Sequence, residues 1–114
     1  MNYDDIKLKA IPVGRDLLLV ITGGVAHIGS ASTAYAAGEG TEVQTSAVPG
    51  HKEHTLSGEF AQRAAAALQR TVTVVMGIHY DDLTKEEIIA ISRQASELLD
   101  QYLQEQQRND PFEG

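Results

Sequence analysis

Two short apolar runs constrain the fold of this 114-residue chain more than any other feature. Residues 17–21 form an unbroken apolar run flanked by glycine, and residues 72–78 form a second run that is mostly apolar. Each run is too short for a buried helix, so each is predicted to be a buried central strand. The fold must therefore contain a β-sheet with covered central strands.

The segments around the first run also have the character of strands. Apolar residues alternate with lysines over residues 6–10, which predicts a half-buried strand. Residues 25–37 are predicted to be extended and carry small side chains, and residues 41–48 alternate in polarity. Gly23 and Gly24 form a turn signal that predicts a hairpin between the second and third strands.

Two segments have the periodicity of helices. Residues 54–70 place apolar side chains three and four positions apart and include a run of four alanines, which would let the helix lie close to a sheet. A second helix is predicted from Thr84, with Glu87 completing a capping box. Residues 1–104 are predicted to form a single domain, and the polar residues 105–114 a flexible C-terminal tail.

The resulting order of elements is β-β-β-β-α-β-α. Strands that come first and helices that come later predict an α+β fold. We expect a mostly antiparallel sheet with the two helices packed on one face.

Composition narrows the possible functions. The chain has 9 basic and 16 acidic residues, a formal net charge of −7 and no cysteine. The basic residues are scattered, which argues against nucleic-acid binding, since that depends on clustered lysines and arginines. No stretch reaches the roughly 18 apolar residues of a membrane span, and the N-terminus does not resemble a signal peptide. We therefore expect a cytoplasmic protein that binds neither nucleic acid nor membrane.

All four histidines lie at the ends of elements or beside glycine. In GIHYDD at 77–82, His79, Asp81 and Asp82 follow a buried strand, where they could bind a metal, orient a ligand or relay a proton. The alternative is that the two aspartates only favour the positive end of the following helix.

The segment TGGVAHIGS at 22–30 offers backbone freedom at Gly23 and Gly24, which would let a ligand approach closely. It lacks the G-x-G-x-x-G spacing of a dinucleotide fingerprint. The small residues after His27 leave room for a flat ligand or for a partner's backbone. The alternative is a hairpin whose third strand has small side chains for packing.

The segment PGHKEH at 49–54 precedes the first predicted helix. A helix N-terminus with Lys52 beside it suits a phosphate group. His51 and His54 could instead bind a metal, although HxxH without a third ligand is a weak zinc signal. The remaining alternative is a solvated helix entrance. No catalytic nucleophile is evident in the chain.

Three segments in this order resemble a known family. ITGGVAHIGS at 21–30, VPGHKEH at 48–54 and GIHYDDLTKEEI at 77–88 are similar to the LpdD-like proteins, which are found with UbiD-type hydroxyarylic acid decarboxylases such as the gallate and protocatechuate enzymes. The resemblance implies a non-catalytic chaperone that binds reduced prenylated FMN and helps load it into the decarboxylase. It also implies a homodimer and a fold similar to that of proteasome assembly chaperones.

The resemblance and the residue types together predict one cofactor pocket, partly at a dimer interface. The turn before the first helix would hold the FMN phosphate, the glycines would admit the isoalloxazine plane, and the histidines would hydrogen-bond the cofactor. The predicted cofactor-binding residues are Thr22, Gly23, Gly24, His27, Gly29, His51, Lys52, His54, His79 and Asp82, and no catalytic or metal-binding residue is predicted. Two alternatives stay open: a structural subunit of the decarboxylase, and a small metal-dependent lyase or hydrolase.

Overall fold

The computed structural model describes residues 3–49 and 54–108, with the backbone alone for residues 54 and 55. It confirms the α+β class and the predicted order of elements. The elements are β1 (Lys7–Val13), β2 (Asp16–Gly24), β3 (Ser30–Ala37), β4 (Gly40–Ala47), α1 (His54–Leu68), β5 (Val72–His79) and α2 (Lys85–Arg108).

The five strands form one mixed sheet in the order β1-β2-β5-β3-β4. Three of the neighbouring pairs are antiparallel, and β2 and β5 are parallel, with Leu17 opposite Val72. The predicted hairpin at Gly23 and Gly24 is therefore wrong, because β5 lies between β2 and β3. The chain instead crosses the end of β5 through residues 25–29. These residues were predicted to be extended, but in the structure they form a loop.

The core lies between the sheet and the two helices. Leu19 and Ile21 of β2 and Met76 of β5 are fully buried, and so are Phe60 of α1 and Leu99 of α2. These side chains belong to one hydrophobic cluster, which places both helices on the same face of the sheet, as predicted. Burial of this apolar surface is the main term that stabilises the fold.

The other face of the sheet is only partly buried in the described part of the chain. Leu18 and Val20 of β2 and Val75 of β5 alternate with the core residues, so they point away from the helices. Each of the three is half-buried.

The ends of the helices follow local rules. Thr84 and Glu87 form the predicted capping box, since Thr84 N donates to Glu87 Oε1 at 3.0 Å and Glu87 N donates to Thr84 Oγ1 at 3.1 Å. Residues 105–108, which the sequence assigned to the tail, are helical. Neither described helix is both long and apolar enough to cross a membrane.

Candidate functional site

The described parts of the three segments that the sequence singled out meet at one end of the sheet, with Val48 representing the segment at 48–54. Gly24 and His79 end the parallel strands β2 and β5 side by side, and Val25 N donates to His79 O at 2.9 Å. Gly29 N donates to Met76 O at 2.8 Å, and Val48 N donates to Gly29 O at 2.9 Å. We call this region the histidine end, defined by residues 24–29, 48 and 79.

Two of the four histidines lie close together at the histidine end. The ring centroids of His27 and His79 are 6.2 Å apart, with the rings nearly perpendicular. His27 Nδ1 lies 3.1 Å from Val25 O, so this nitrogen carries the proton and donates, because a carbonyl oxygen can only accept. His79 Nε2 lies 3.1 Å from Asp81 Oδ1. The His79 side chain is 51% exposed and His27 is half-buried, so solvent reaches both residues.

Gly77, which is not among the predicted site residues, allows the His27 loop to lie against β5. A Cβ at Gly77 would lie 1.6 Å from His27 O and 2.5 Å from His27 C, so the loop backbone rests directly on β5. Glycine within a strand is a known sign of close backbone approach, and this signal could have identified Gly77.

The chain itself fills the space beside the two predicted glycines. A Cβ at Gly23 would lie 2.8 Å from Ile6 Cγ1 and 3.1 Å from Tyr80 Oη. Gly24 has a φ of +65°, and a Cβ there would lie 2.1 Å from His79 O. Both positions thus require glycine for packing within the chain. Contact of these glycines with a flavin ring remains a prediction.

The carboxylate of Asp5, in the segment before β1, binds both Gly24 and Tyr80. Asp5 Oδ2 accepts a hydrogen bond from Gly24 N at 2.9 Å, and Asp5 Oδ1 accepts one from the Tyr80 hydroxyl. The bond from Tyr80 is the main cause that lowers the pKa of Asp5. Burial, followed by the bond to Asp5 and its charge, raises the pKa of Tyr80 to about 12.

The remaining predicted residues have different surroundings. Thr22 is half-buried opposite Gly77, and Gly29 is buried where it joins β5 to Val48. Asp82 is exposed in the turn before α2, with a left-handed φ of 56°. His51 and Lys52 lie outside the described residues. The backbone of His54 begins α1, and its side chain is outside the description.

Buried hydroxyl groups anchor the first turns of α1 to β3. Ser57 Oγ accepts from Ser30 Oγ at 2.8 Å and lies 2.7 Å from Ser32 Oγ, which in turn lies 2.7 Å from Thr45 Oγ1. Ser30, Ser32 and Ser57 are each almost completely buried. Buried hydroxyl groups need such partners, so the network fixes where the N-terminus of α1 lies over the sheet.

Apolar side chains accompany the polar groups at the histidine end. Val25 is 67% exposed, Ile28 is 64% exposed and Val48 is 43% exposed. Exposed valine and isoleucine beside accessible histidines can contact the apolar part of a ligand while the imidazoles bind its polar atoms.

Among the side chains that the structure describes, no three histidine, aspartate or glutamate side chains are grouped. The side chains of the HxxH pair, His51 and His54, lie outside that description. A groove of about 870 Å³ lies at the opposite end of the sheet, between the start of β2, the β3–β4 turn and the end of α1. None of the predicted site residues whose side chains the structure describes lines this groove.

Comparison with known proteins identifies the family. A family model described as "Prenylated flavin chaperone LpdD-like domain" matches residues 2–107. The chain is also similar to "Protein LpdD" of Lactiplantibacillus plantarum, with 34% identity over 89 residues, which cover 75% of this chain and 65% of that protein. The chain thus spans somewhat less than two thirds of the length of that relative. The family match covers nearly the whole chain, including all three segments of the histidine end, so the chain belongs to the family of prenylated flavin chaperone LpdD-like domains.

Proposed function

We propose that this protein is a non-catalytic chaperone that binds reduced prenylated FMN and helps load it into a UbiD-type aromatic acid decarboxylase. The observation that carries the proposal is the family match over residues 2–107, which includes every segment of the histidine end. The convergence of those segments at one end of the sheet supports a single cofactor site there.

The histidine end has the chemistry that such a cofactor needs. Val25 and Ile28 offer apolar contacts for the ring system, and His27 and His79 offer hydrogen bonds to its polar edge. The N-terminus of α1, with Lys52 and His51 before it, would hold the phosphate. The exposed position of His79 also suits a carrier, which must release what it binds.

Anaerobic titration with reduced prenylated FMN tests the binding step, with FMN as the comparison ligand. We expect Lys52→Ala and His51→Ala each to weaken binding about tenfold, because each removes a hydrogen bond to a charged phosphate. Arg93→Ala is the control, since Arg93 is an exposed basic residue on α2, away from the sheet face that carries Val20. Unchanged affinity in both variants would contradict the phosphate assignment.

Reconstitution tests the loading step. Apo-decarboxylase is mixed with reduced prenylated FMN, with and without this protein, and decarboxylation is measured. We expect faster or more complete activation when the protein is present, and no gain would contradict the chaperone role. Co-purification with the decarboxylase at fixed stoichiometry would favour a structural subunit. A stoichiometric metal that is lost in His54→Ala would favour a metal-dependent enzyme.

We also propose that the protein is a homodimer. The half-buried apolar residues Leu18, Val20 and Val75 on the face away from the helices support this, because a second sheet would cover them. Light scattering on the purified protein should give the mass of two chains, and Val20→Lys should shift it toward one. A monomeric wild-type protein at micromolar concentration would contradict this part of the proposal.

A further inference from the structure

The segment before β1 joins the ends of the two parallel strands. One carboxylate oxygen of Asp5 accepts from the backbone N–H of Gly24 at 2.9 Å, and the other accepts from the hydroxyl of Tyr80. Gly24 is the last residue of β2, and Tyr80 follows His79, the last residue of β5. The two donors lie where the backbone pairing of β2 with β5 ends. The carboxylate therefore links the two strands through hydrogen bonds just past their last paired residues.

Contacts with α2 hold the same segment in place. The side-chain amide of Gln94 bonds the backbone of Tyr3 in both directions, accepting from its N at 3.0 Å and donating to its O at 2.7 Å. The Tyr3 hydroxyl donates to Glu87 Oε2 at 3.1 Å. The ring of Tyr3 also lies against that of Tyr80, with 4.9 Å between centroids. These contacts of Tyr3 fix the backbone of the segment that carries Asp5.

The two residues that Asp5 binds, Gly24 and Tyr80, are adjacent in the chain to residues that contact or include the two histidines. Gly24 precedes Val25, whose N–H donates to His79 O at 2.9 Å and whose carbonyl accepts from His27 Nδ1 at 3.1 Å. On the other branch, Tyr80 is the residue after His79. Loss of the carboxylate would release the backbone on both sides of the histidine pair.

We infer that Asp5 is a positioning residue that fixes the relative placement of His27 and His79. The inference rests on the proposed function only where it names the ligand that the histidines bind. Aspartate suits the role because two donors, a backbone N–H and a hydroxyl, converge on its two oxygens. Asparagine keeps part of this arrangement, since its oxygen accepts from Gly24 while its amide donates to the Tyr80 hydroxyl oxygen.

Amide hydrogen exchange and histidine NMR test the inference on the full chain. In Asp5→Ala we expect exchange at Gly24 and Val25 to accelerate about tenfold or more relative to the core amide of Val74, because a bond to a charged group is lost. The imidazole shifts of His27 and His79 should move. Binding of reduced prenylated FMN should weaken about tenfold, and Asp5→Asn should lie nearer to wild type. Glu42→Ala, which removes an exposed acid on β4, is the control.

Unchanged exchange and unchanged imidazole shifts in folded Asp5→Ala would overturn the inference. If Asp5→Ala does not fold, Tyr80→Phe decides the same question, since it removes one of the two bonds and keeps the ring. If wild-type protein binds neither reduced prenylated FMN nor FMN, the proposed function fails. Exchange and shifts then still decide whether Asp5 positions the histidines.

Discussion

The carbonyl oxygen of His27 lies directly over the α-carbon of Gly77, on the face of the sheet away from the helices. A Cβ at Gly77 would approach that oxygen to 1.6 Å, and no side-chain rotation can relieve the clash, because the Cβ position is fixed by the backbone of β5 and the oxygen belongs to the backbone of the loop. The loop that carries His27 is therefore shaped by the absence of a side chain on the central strand.

Substitution Gly77→Ala should lift this loop and destabilise the protein. We expect a loss of about 3 kcal/mol in the free energy of unfolding, since the backbone must move to accept the methyl group. Chemical denaturation measures the loss, and NMR shifts of residues 25–29 locate it. Gly40→Ala is the control, because a Cβ there has no neighbour within 4 Å. A Gly77→Ala protein as stable as this control would contradict the prediction.

Substitution Ser57→Ala should weaken the attachment of α1 to β3. It removes the hydroxyl that lies between Ser30 and Ser32, so each of these buried serines loses one hydrogen bond. We expect a loss of about 2 kcal/mol in the free energy of unfolding. Ser46→Ala, at an exposed position on β4, should cost little. Equal denaturation midpoints for the two variants would show that the buried network contributes nothing.

Stability should fall as the pH falls through the acidic range. The Thr84 backbone N–H is the main cause that lowers the pKa of Glu87, and the Tyr80 hydroxyl is the main cause that lowers that of Asp5. A carboxyl group whose pKa is lower in the folded state than in the unfolded state stabilises the fold. This contribution is fully present at pH values above the unfolded-state pKa, which is about 4. That stability is lost as the pH drops through the folded value, because the unfolded chain binds protons first.

The variant Glu87→Gln isolates one of these groups. Glutamine keeps the capping geometry without the charge, so we expect a smaller change in unfolding free energy between pH 6 and pH 3, measured by denaturation. Glu86→Gln removes the neighbouring exposed acid and serves as the control. A slope in Glu87→Gln equal to that in wild type would contradict the assignment.

Substitution Gln69→Gly should stabilise the protein. Gln69 directly follows α1 and has a left-handed φ of 54°, which costs a residue with a side chain about 1 kcal/mol relative to glycine. Its side chain donates to Ala66 O at 2.7 Å, a bond in solvent that offsets little of this cost. Thermal melts should show a higher midpoint for Gln69→Gly and no gain for Gln69→Ala. A lower midpoint for the glycine variant would refute the prediction.

Local signals in the sequence predicted the elements well. The two apolar runs identified β2 and β5, and the pair Thr84 and Glu87 located the start of α2. The position of β5 between β2 and β3 was missed, because strand pairing depends on contacts between residues distant in sequence. The glycine pair at 23 and 24 correctly marked a change in chain direction, since Gly24 has a positive φ. The chain does not form a hairpin there, because it crosses over the end of β5 before β3 begins.

The site was predictable where its residue types are conspicuous. Histidines at the ends of elements or beside glycine pointed to the region where His27 and His79 meet. Asp5 was missed because its two partners lie 19 and 75 residues away, and no local pattern marks such a contact. Tyr80 was missed for the same reason.

The insertion of β5 between two earlier strands has a consequence for the order of folding. The hairpins β1–β2 and β3–β4 are local and can form as soon as each has been synthesised, whereas they join only through β5. During synthesis the sheet therefore stays in two halves until residues 72–79 emerge. The same event brings His79 against the His27 loop, so completion of the sheet and assembly of the histidine end are one step.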